Sequence, residues 1–261
     1  MGQTSTGGPE GSLIMTGNDA WVSLLTQSLM WGRVRDTLEK VCSCSKVEMK
    51  ESLITVVSRK LNYDFARVEA LWILNGDNTL KGLGKWSKLW APYSDDGYRL
   101  YGAYGPRVMN QIQFVLNELG INRVSRRAVI NIWRENPQLT KNYPCTVSLQ
   151  FLIRSGFLDV IATMRSSDLW LGYPYDIFVF SCIAQYVRQN LFVKPFLGFL
   201  HMNVGSQHVY LKDLDKVKAV LAKPTENPSV SGNLSDIFTQ KNTPDHILER
   251  LRNDVTHPII L

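Results

Sequence analysis

Residues 142–176 read NYPCTVSLQFLIRSGFLDVIATMRSSDLWLGYPYD. Two apolar runs, 146–153 and 157–164, flank Arg154-Ser155-Gly156, and such runs either side of a turn predict a β-hairpin. A hairpin returns its two ends to one place. Here the ends carry a cysteine after proline (Cys145), the pair Arg165-Ser166, Asp168, and Gly-Tyr-Pro-Tyr-Asp closing at Asp176. A thiol, a guanidinium and two carboxylates can then share a pocket.

Outward from this stretch the chain reads as α+β. A helix over 18–30, capped by Asn18 or Asp19, precedes a loop bearing Arg33 and Arg35, and loose alternation over 37–57 predicts strands. Residues 63–74 predict a helix stopped by Asn75-Gly76, and 108–119 a second one. A strand over 128–133 precedes the hairpin. Residues 175–190 are apolar on several sides, as a central buried helix is. A strand over 196–210 and a helix over 213–221 follow. Residues 223–243, rich in Pro, Ser, Asn and Gly, predict a surface loop, and a short helix comes near the end. The expected organisation is a flexible leader over 1–17 and one domain over 18–261, with a mixed central sheet packed with helices.

The 261 residues are 44% apolar and 20% charged, ordinary for a globular protein. Eighteen consecutive apolar residues occur nowhere, which argues against a membrane span, and the polar N-terminus argues against a signal peptide. Met-Gly-Gln-Thr-Ser-Thr fits the loose myristoylation pattern, but a floppy leader explains it as well. Cys42, Cys44, Cys145 and Cys182 lack metal spacing, and few thiols without a secretion signal suggest a reducing cytoplasm. The net charge of +6 suits a phosphorylated small molecule better than a nucleic acid, because no like-charge block or nucleic-acid motif accompanies it.

Taken in order, Glu69 in EALWIL, Tyr104-Gly105, Ser125-Arg126-Arg127, Pro144-Cys145, Arg165-Ser166-Ser167-Asp168, Gly172-Tyr173-Pro174-Tyr175-Asp176 and His208-Val209-Tyr210 resemble the thymidylate synthase superfamily over roughly residues 19–261. The resemblance implies that Cys145 adds to C6 of a pyrimidine nucleotide, that Glu69 is a general acid/base working through water, and that Tyr104 assists proton removal from C5. A nearby Arg165 would lower the thiol pKa. The resemblance assigns Arg33, Arg165, Ser166 and Ser167 to nucleotide binding, and His208 and Tyr210 to the sugar 3′-hydroxyl. It makes 5,10-methylenetetrahydrofolate the co-substrate, with Asp168, Gly172, Trp90 and Arg59 along the folate, and requires no metal. Finally, it implies a homodimer in which Arg126 and Arg127 reach the partner's phosphate.

Two departures from thymidylate synthase are informative. Asp176 stands where uracil-reading members have asparagine. A carboxyl can accept from the N4 amine of cytosine and, when protonated, donate to N3; an ionised one repels O4 of uracil. Thr146 stands where histidine usually follows the nucleophile, and with Asn203-Val204-Gly205-Ser206 it resembles the deoxycytidylate hydroxymethylase branch. The short tail 258–261 suggests a site open to water, hence hydroxymethylation rather than methylation. The substrate expected is deoxycytidylate, in a virus that replaces cytosine in its DNA. The alternatives are a cytidylate methyltransferase and a non-catalytic nucleotide- or RNA-binding relative.

Overall fold

A computed structural model describes residues 15–223, 235–238 and 243–252. The leader up to residue 14, most of the 223–243 loop and the C-terminal tail lie outside the described residues, so the myristoylation and tail-length readings are not addressed by it. The helices are α1 (Gly17–Ser28), α2 (Tyr63–Leu74), α3 (Ser87–Trp90), α4 (Tyr104–Ile121), α5 (Tyr173–Asn190), α6 (Leu214–Leu221) and α7 (Pro244–Arg252). The strands are β1 (Gly32–Val34), β2 (Thr37–Glu48), β3 (Val129–Asn131), β4 (Thr146–Arg154), β5 (Phe157–Asp168) and β6 (Phe196–Tyr210).

All six strands form one mixed sheet in the order β1-β2-β6-β5-β4-β3. Every neighbouring pair is antiparallel except β5 and β6, which run parallel. Parallel neighbours need a crossover, and α5 provides it. Fourteen of its eighteen residues are buried, which makes it the central element of the core. Its fully buried Ile177, Phe178 and Phe180 pack in one cluster with Leu158, Val160 and Ala162 of β5 and with Leu200 and Met202 of β6. Each such side chain removed from water contributes roughly 1.5–3 kcal/mol.

Several local readings need correction. Arg33 and Arg35 are in a hairpin rather than a loop: β1 pairs with β2, and Arg35 turns the chain at φ 55. The strand expected over 37–57 stops at Glu48 and gives way to short 3-10 turns. The cap of α1 is Thr16, whose Oγ1 accepts from the Asp19 N–H at 3.2 Å while the Asp19 carboxylate accepts from the Thr16 N–H at 3.1 Å. The helix therefore begins inside the expected leader. In the 223–243 loop, Ser235–Phe238 forms a 3-10 turn that buries Ile237 and Phe238. The helix expected from 108 begins at Tyr104, because Pro106 lies in the first turn, where its missing N–H has no helical partner to lose.

The segment before Cys145 is held by Gly102, whose N–H donates to Asn142 Oδ1 at 2.8 Å. A Cβ added at Gly102 would lie 2.5 Å from the Asn142 carbonyl oxygen and 3.0 Å from Pro144 N. Backbone there has no room to retreat. Gly102→Ala is therefore expected to cost roughly 1–3 kcal/mol of stability, measurable by denaturant unfolding, and to shift the 142–144 segment that carries the thiol.

Candidate active site

The C-terminal ends of β5 and β6 lie side by side, with Ser166 opposite Ser206 and Asp168 opposite His208. β4 begins beside them, so Cys145 arrives next to Arg165: the Arg165 N–H donates to the Cys145 carbonyl at 2.8 Å, and Nη2 lies 3.9 Å from Sγ. Arg165 is oriented by the Pro144 carbonyl, which accepts from Nε at 3.0 Å, and its guanidinium lies 5.7 Å over the Trp133 ring. Trp133 in turn stacks on Tyr143 at 6.1 Å. Nothing in its local sequence marks Trp133 as a support for the arginine.

Cys145 is the half-buried one of the four thiols; Cys42 and Cys44 are exposed and Cys182 is buried in α5. Burial raises the Cys145 pKa first and Asp176 second, while Arg165 lowers it. The expected effect of the arginine is present, but in the ligand-free protein it is outweighed and the net shift is upward.

Three carboxyls face this region. Asp176 is in the first turn of α5, and its pKa is pushed up to about 7 by burial, with Asp168 adding to the shift. A helix N-terminus favours a carboxylate by about 0.3–1 kcal/mol. The rise from 3.8 to about 7 corresponds to roughly 4 kcal/mol in the opposite sense, so burial wins. Glu69, in α2, is pushed up to about 8 by burial and then by Asp176. The carboxyls of Asp176 and Glu69 have no hydrogen-bond partner among the described residues. Asp168 differs: its Oδ1 accepts from the N–H groups of Trp170 at 2.8 Å and Leu171 at 3.2 Å, although burial still raises its pKa.

Tyr104 opens α4 with its hydroxyl turned to the neighbour of Cys145. Its oxygen accepts from the Thr146 N–H at 3.2 Å and from Thr146 Oγ1 at 3.0 Å. Burial raises the phenol pKa strongly, Asp176 and Cys145 add to this, and the two Thr146 donors offset part of it. With both donors on the phenol oxygen, the phenolic proton must point elsewhere. Thr146 drew notice in the sequence only as a departure from histidine; its grip on Tyr104 was not legible there.

His208 and Tyr210 meet edge to face at 5.2 Å on β6. The β1–β2 turn lies beside them, since Thr37 pairs with Tyr210 and the Leu211 N–H donates to the Asp36 carbonyl at 2.8 Å. Arg33 is exposed on that hairpin, and its Nε donates to the Arg35 carbonyl at 3.1 Å. Ser166 is half-buried, but Ser167 is 2% exposed and its Oγ has no partner, so it is part of the wall rather than an open ligand. Arg126 and Arg127 do not join this constellation. Both are exposed just before the edge strand β3, where Arg127 pairs with Glu118 at 2.9 Å.

The residues expected along a folate are placed as follows. Arg59 Nη2 donates to the Trp170 carbonyl at 2.7 Å and its guanidinium lies 4.6 Å over the Trp170 ring. Its Nε is buried without a partner, and it pairs with no carboxylate among the described residues. A Cβ at Gly172 would come 3.3 Å from Asp176 Oδ2, so the glycine leaves a gap beside the carboxyl. Trp90 is half-buried against Tyr93. Among the described residues no group of three His, Cys, Asp or Glu side chains is placed to hold a metal ion.

The raised carboxyl pKa values make a stability prediction. Unfolded Asp and Glu titrate near 3.9 and 4.3; the folded values here are about 7 and about 8. The unfolded state thus loses its protons first, and stability present below about pH 4 is lost as pH rises through 7–8. Asp176→Asn is expected to stabilise the ligand-free protein at pH 8 by roughly 2–4 kcal/mol and to leave pH 4 nearly unchanged. Denaturant unfolding at the two pH values measures the difference, and an equal effect at both would refute the assignment.

The profile of the Thymidylate synthase family matches residues 32–251. A deoxyuridylate hydroxymethyltransferase of Pseudomonas phage M6 is 31% identical over 198 residues, 72% of this chain and 56% of that protein. The chain thus covers little more than half of the phage enzyme's length. Thymidylate synthases of three Coxiella burnetii strains are 26% identical over 191 residues, 68% of this chain and 71% of theirs. With the sheet, the Cys145–Arg165 pair and the flanking carboxyls in place, the chain belongs to the thymidylate synthase family, whose members use 5,10-methylenetetrahydrofolate as co-substrate.

Proposed function

We propose that the protein converts deoxycytidylate to 5-hydroxymethyldeoxycytidylate. The observation that carries this reading is Asp176: a carboxyl in the first turn of α5, without a protein partner, whose pKa of about 7 leaves it protonated in much of the population at neutral pH.

Addition of a thiolate at C6 of cytosine drives negative charge onto N3. A carboxylic acid at Asp176 can give its proton to N3 and accept a hydrogen bond from the N4 amine. The neutral acid also removes one of the two negative charges that raise the Cys145 pKa, leaving Arg165 to act against burial and Asp168. Methylenetetrahydrofolate, when bound, supplies the one-carbon unit that C5 takes up. Tyr104, held by Thr146 and with its hydroxyl proton directed elsewhere, orients the water that takes up the C5 proton, and Glu69 holds and moves a proton through water. In balance, deoxycytidylate, methylenetetrahydrofolate and water give the hydroxymethyl nucleotide and tetrahydrofolate. Arg165, Ser166 and Arg33 serve the phosphate, and His208 and Tyr210 the sugar. Asp168, Gly172, Trp90 and Arg59 line the folate.

A homodimer belongs to the same reading. The outer side of the sheet carries half-buried Leu152, Ile161 and Phe199. A second copy seated on that face would accept Arg126 and Arg127 at its own phosphate site.

A second reading has its own support. A neutral carboxylic acid can also accept from N3–H and donate to O4 of uracil, and the phage relative is named for deoxyuridylate. The bases differ in that N3 of cytosine takes up a proton readily and O4 of uracil does not.

Two tests follow. With deoxycytidylate and methylenetetrahydrofolate, mass analysis is expected to find the hydroxymethyl product with tetrahydrofolate; a methylated base with dihydrofolate would sink the hydroxymethyl claim. The kcat/KM for deoxycytidylate is expected to fall above about pH 7 as Asp176 ionises, and Asp176→Asn should shift preference to deoxyuridylate by at least about tenfold. If the parent already prefers deoxyuridylate, the second reading holds. Separately, Thr146→Val is expected to slow release of tritium from C5 by roughly tenfold to a hundredfold, with Thr146→Ser restoring it and nucleotide binding unchanged. Equal exchange in the valine variant would remove Thr146 from the chemistry.

A further inference from the structure

We infer that the cleft between the start of α4 and the end of β3 is a binding site for a small oxyanion, separate from the cavity that holds Cys145. The cleft encloses about 200 Å³ and is lined by Pro106, Arg107, Asn110, Gln111, Asn131 and Arg134. Two guanidiniums and three carboxamides face it, and no carboxylate does.

The two arginines crowd one another. Arg107 lies 5.1 Å and Arg134 5.4 Å from the centre of the same Tyr101 ring. Arg107 is 6% exposed, and burial followed by the charge of Arg134 lowers its pKa. Neither arginine is in an ion pair among the described residues. Two like charges, one of them desolvated, are left without a counterion. An oxyanion would supply it, and guanidinium forks match its oxygens.

The cleft is also fixed in shape. Arg107 Nη2 donates to the Tyr101 carbonyl at 2.6 Å, and Nη1 to the Ile132 carbonyl. Gln111 is part of the frame: its Nε2 donates to the carbonyls of Arg107 at 2.6 Å and Asn131 at 2.9 Å, and its Oε1 accepts from the Asn131 N–H at 3.0 Å. The Arg107 guanidinium is therefore held in place before a ligand arrives, which lowers the ordering cost of binding. The ligand class is phosphate, either free or as the end of a phosphorylated metabolite. The inference rests on this cleft alone and stands or falls independently of the proposed reaction.

The test is thermal unfolding of the full chain in a titration of inorganic phosphate at constant ionic strength, and again with a deoxynucleoside triphosphate. Arg165→Gln removes the phosphate ligand of the other cavity; Arg134→Gln removes the exposed member of this pair. Arg107 is spared because two backbone carbonyls depend on it. The Arg165→Gln protein is expected to keep a phosphate-dependent rise in Tm, and Arg134→Gln in that background to weaken the response at least tenfold in phosphate concentration, with Arg134→Lys between. Tighter binding of the triphosphate in the Arg165→Gln background, lost with Arg134→Gln, would assign the cleft to a nucleotide's phosphate end; equal or weaker binding assigns it to free phosphate. An Arg165→Gln protein that no longer responds to either ligand, or an Arg134→Gln protein that responds like its parent, overturns the inference.

Discussion

The parallel pairing of β5 with β6 is the constraint from which the site follows. In an otherwise antiparallel sheet, this one pair forces a crossover, and the crossover is α5. The carboxyl ends of both strands then point the same way, which puts Arg165, Ser166 and Asp168 beside Ser206 and His208. The same geometry brings the first turn of α5, and with it Asp176, over those strand ends. A hairpin connection in place of the helix would have turned β6 around and carried His208 and Tyr210 to the other end of the sheet.

Packing α5 so deeply has a consequence for its charged residue. The apolar surroundings that hold the helix also desolvate Asp176 and Glu69, and Coulomb repulsion adds to this, from Asp176 on Glu69 and from Asp168 on Asp176. Neither effect needs a special device; both follow from putting carboxyls next to a closed core. The stability lost at neutral pH and the availability of a proton near pH 7 are thus one fact seen twice. A site that gave these carboxyls good partners would be more stable and less able to hand over a proton.

Much of this was legible in the sequence because it rests on local patterns. The hairpin of β4 and β5 showed as alternation about Ser155-Gly156, and α2 as an apolar face with Asn75-Gly76 after it. What was not legible depends on tertiary contact. Arg35 takes a positive φ with no glycine or asparagine to announce it, so β1 read as a loop. The alternation through 49–57 persists because Met49, Leu53 and Ile54 are buried, although they are not in a strand. Gly105-Pro106 reads as a break, yet both are accommodated in the first turn of α4, and that shift of four residues is what makes Tyr104 a helix-start residue facing Thr146. The arginine cleft was invisible for the same reason: Arg107 and Arg134 are twenty-seven positions apart by numbering and meet only over Tyr101.

The Cys145–Thr146 step shows how little chain the site needs. Consecutive strand residues point to opposite faces, so a regular β4 would send one of the two away from the cleft at the strand ends. The register between β4 and β5 instead slips between Thr146 and Ser148, an irregularity of the kind that re-aims side chains beside active sites. Cys145 keeps its place next to Arg165, while Thr146, wholly buried, turns both its N–H and its hydroxyl onto Tyr104. Thiol and phenol are thereby tied through one peptide bond. Any movement of the strand start that displaced the thiol from Arg165 would also take the donors from Tyr104, so the two groups stay in register with each other even if the cavity around them changes shape.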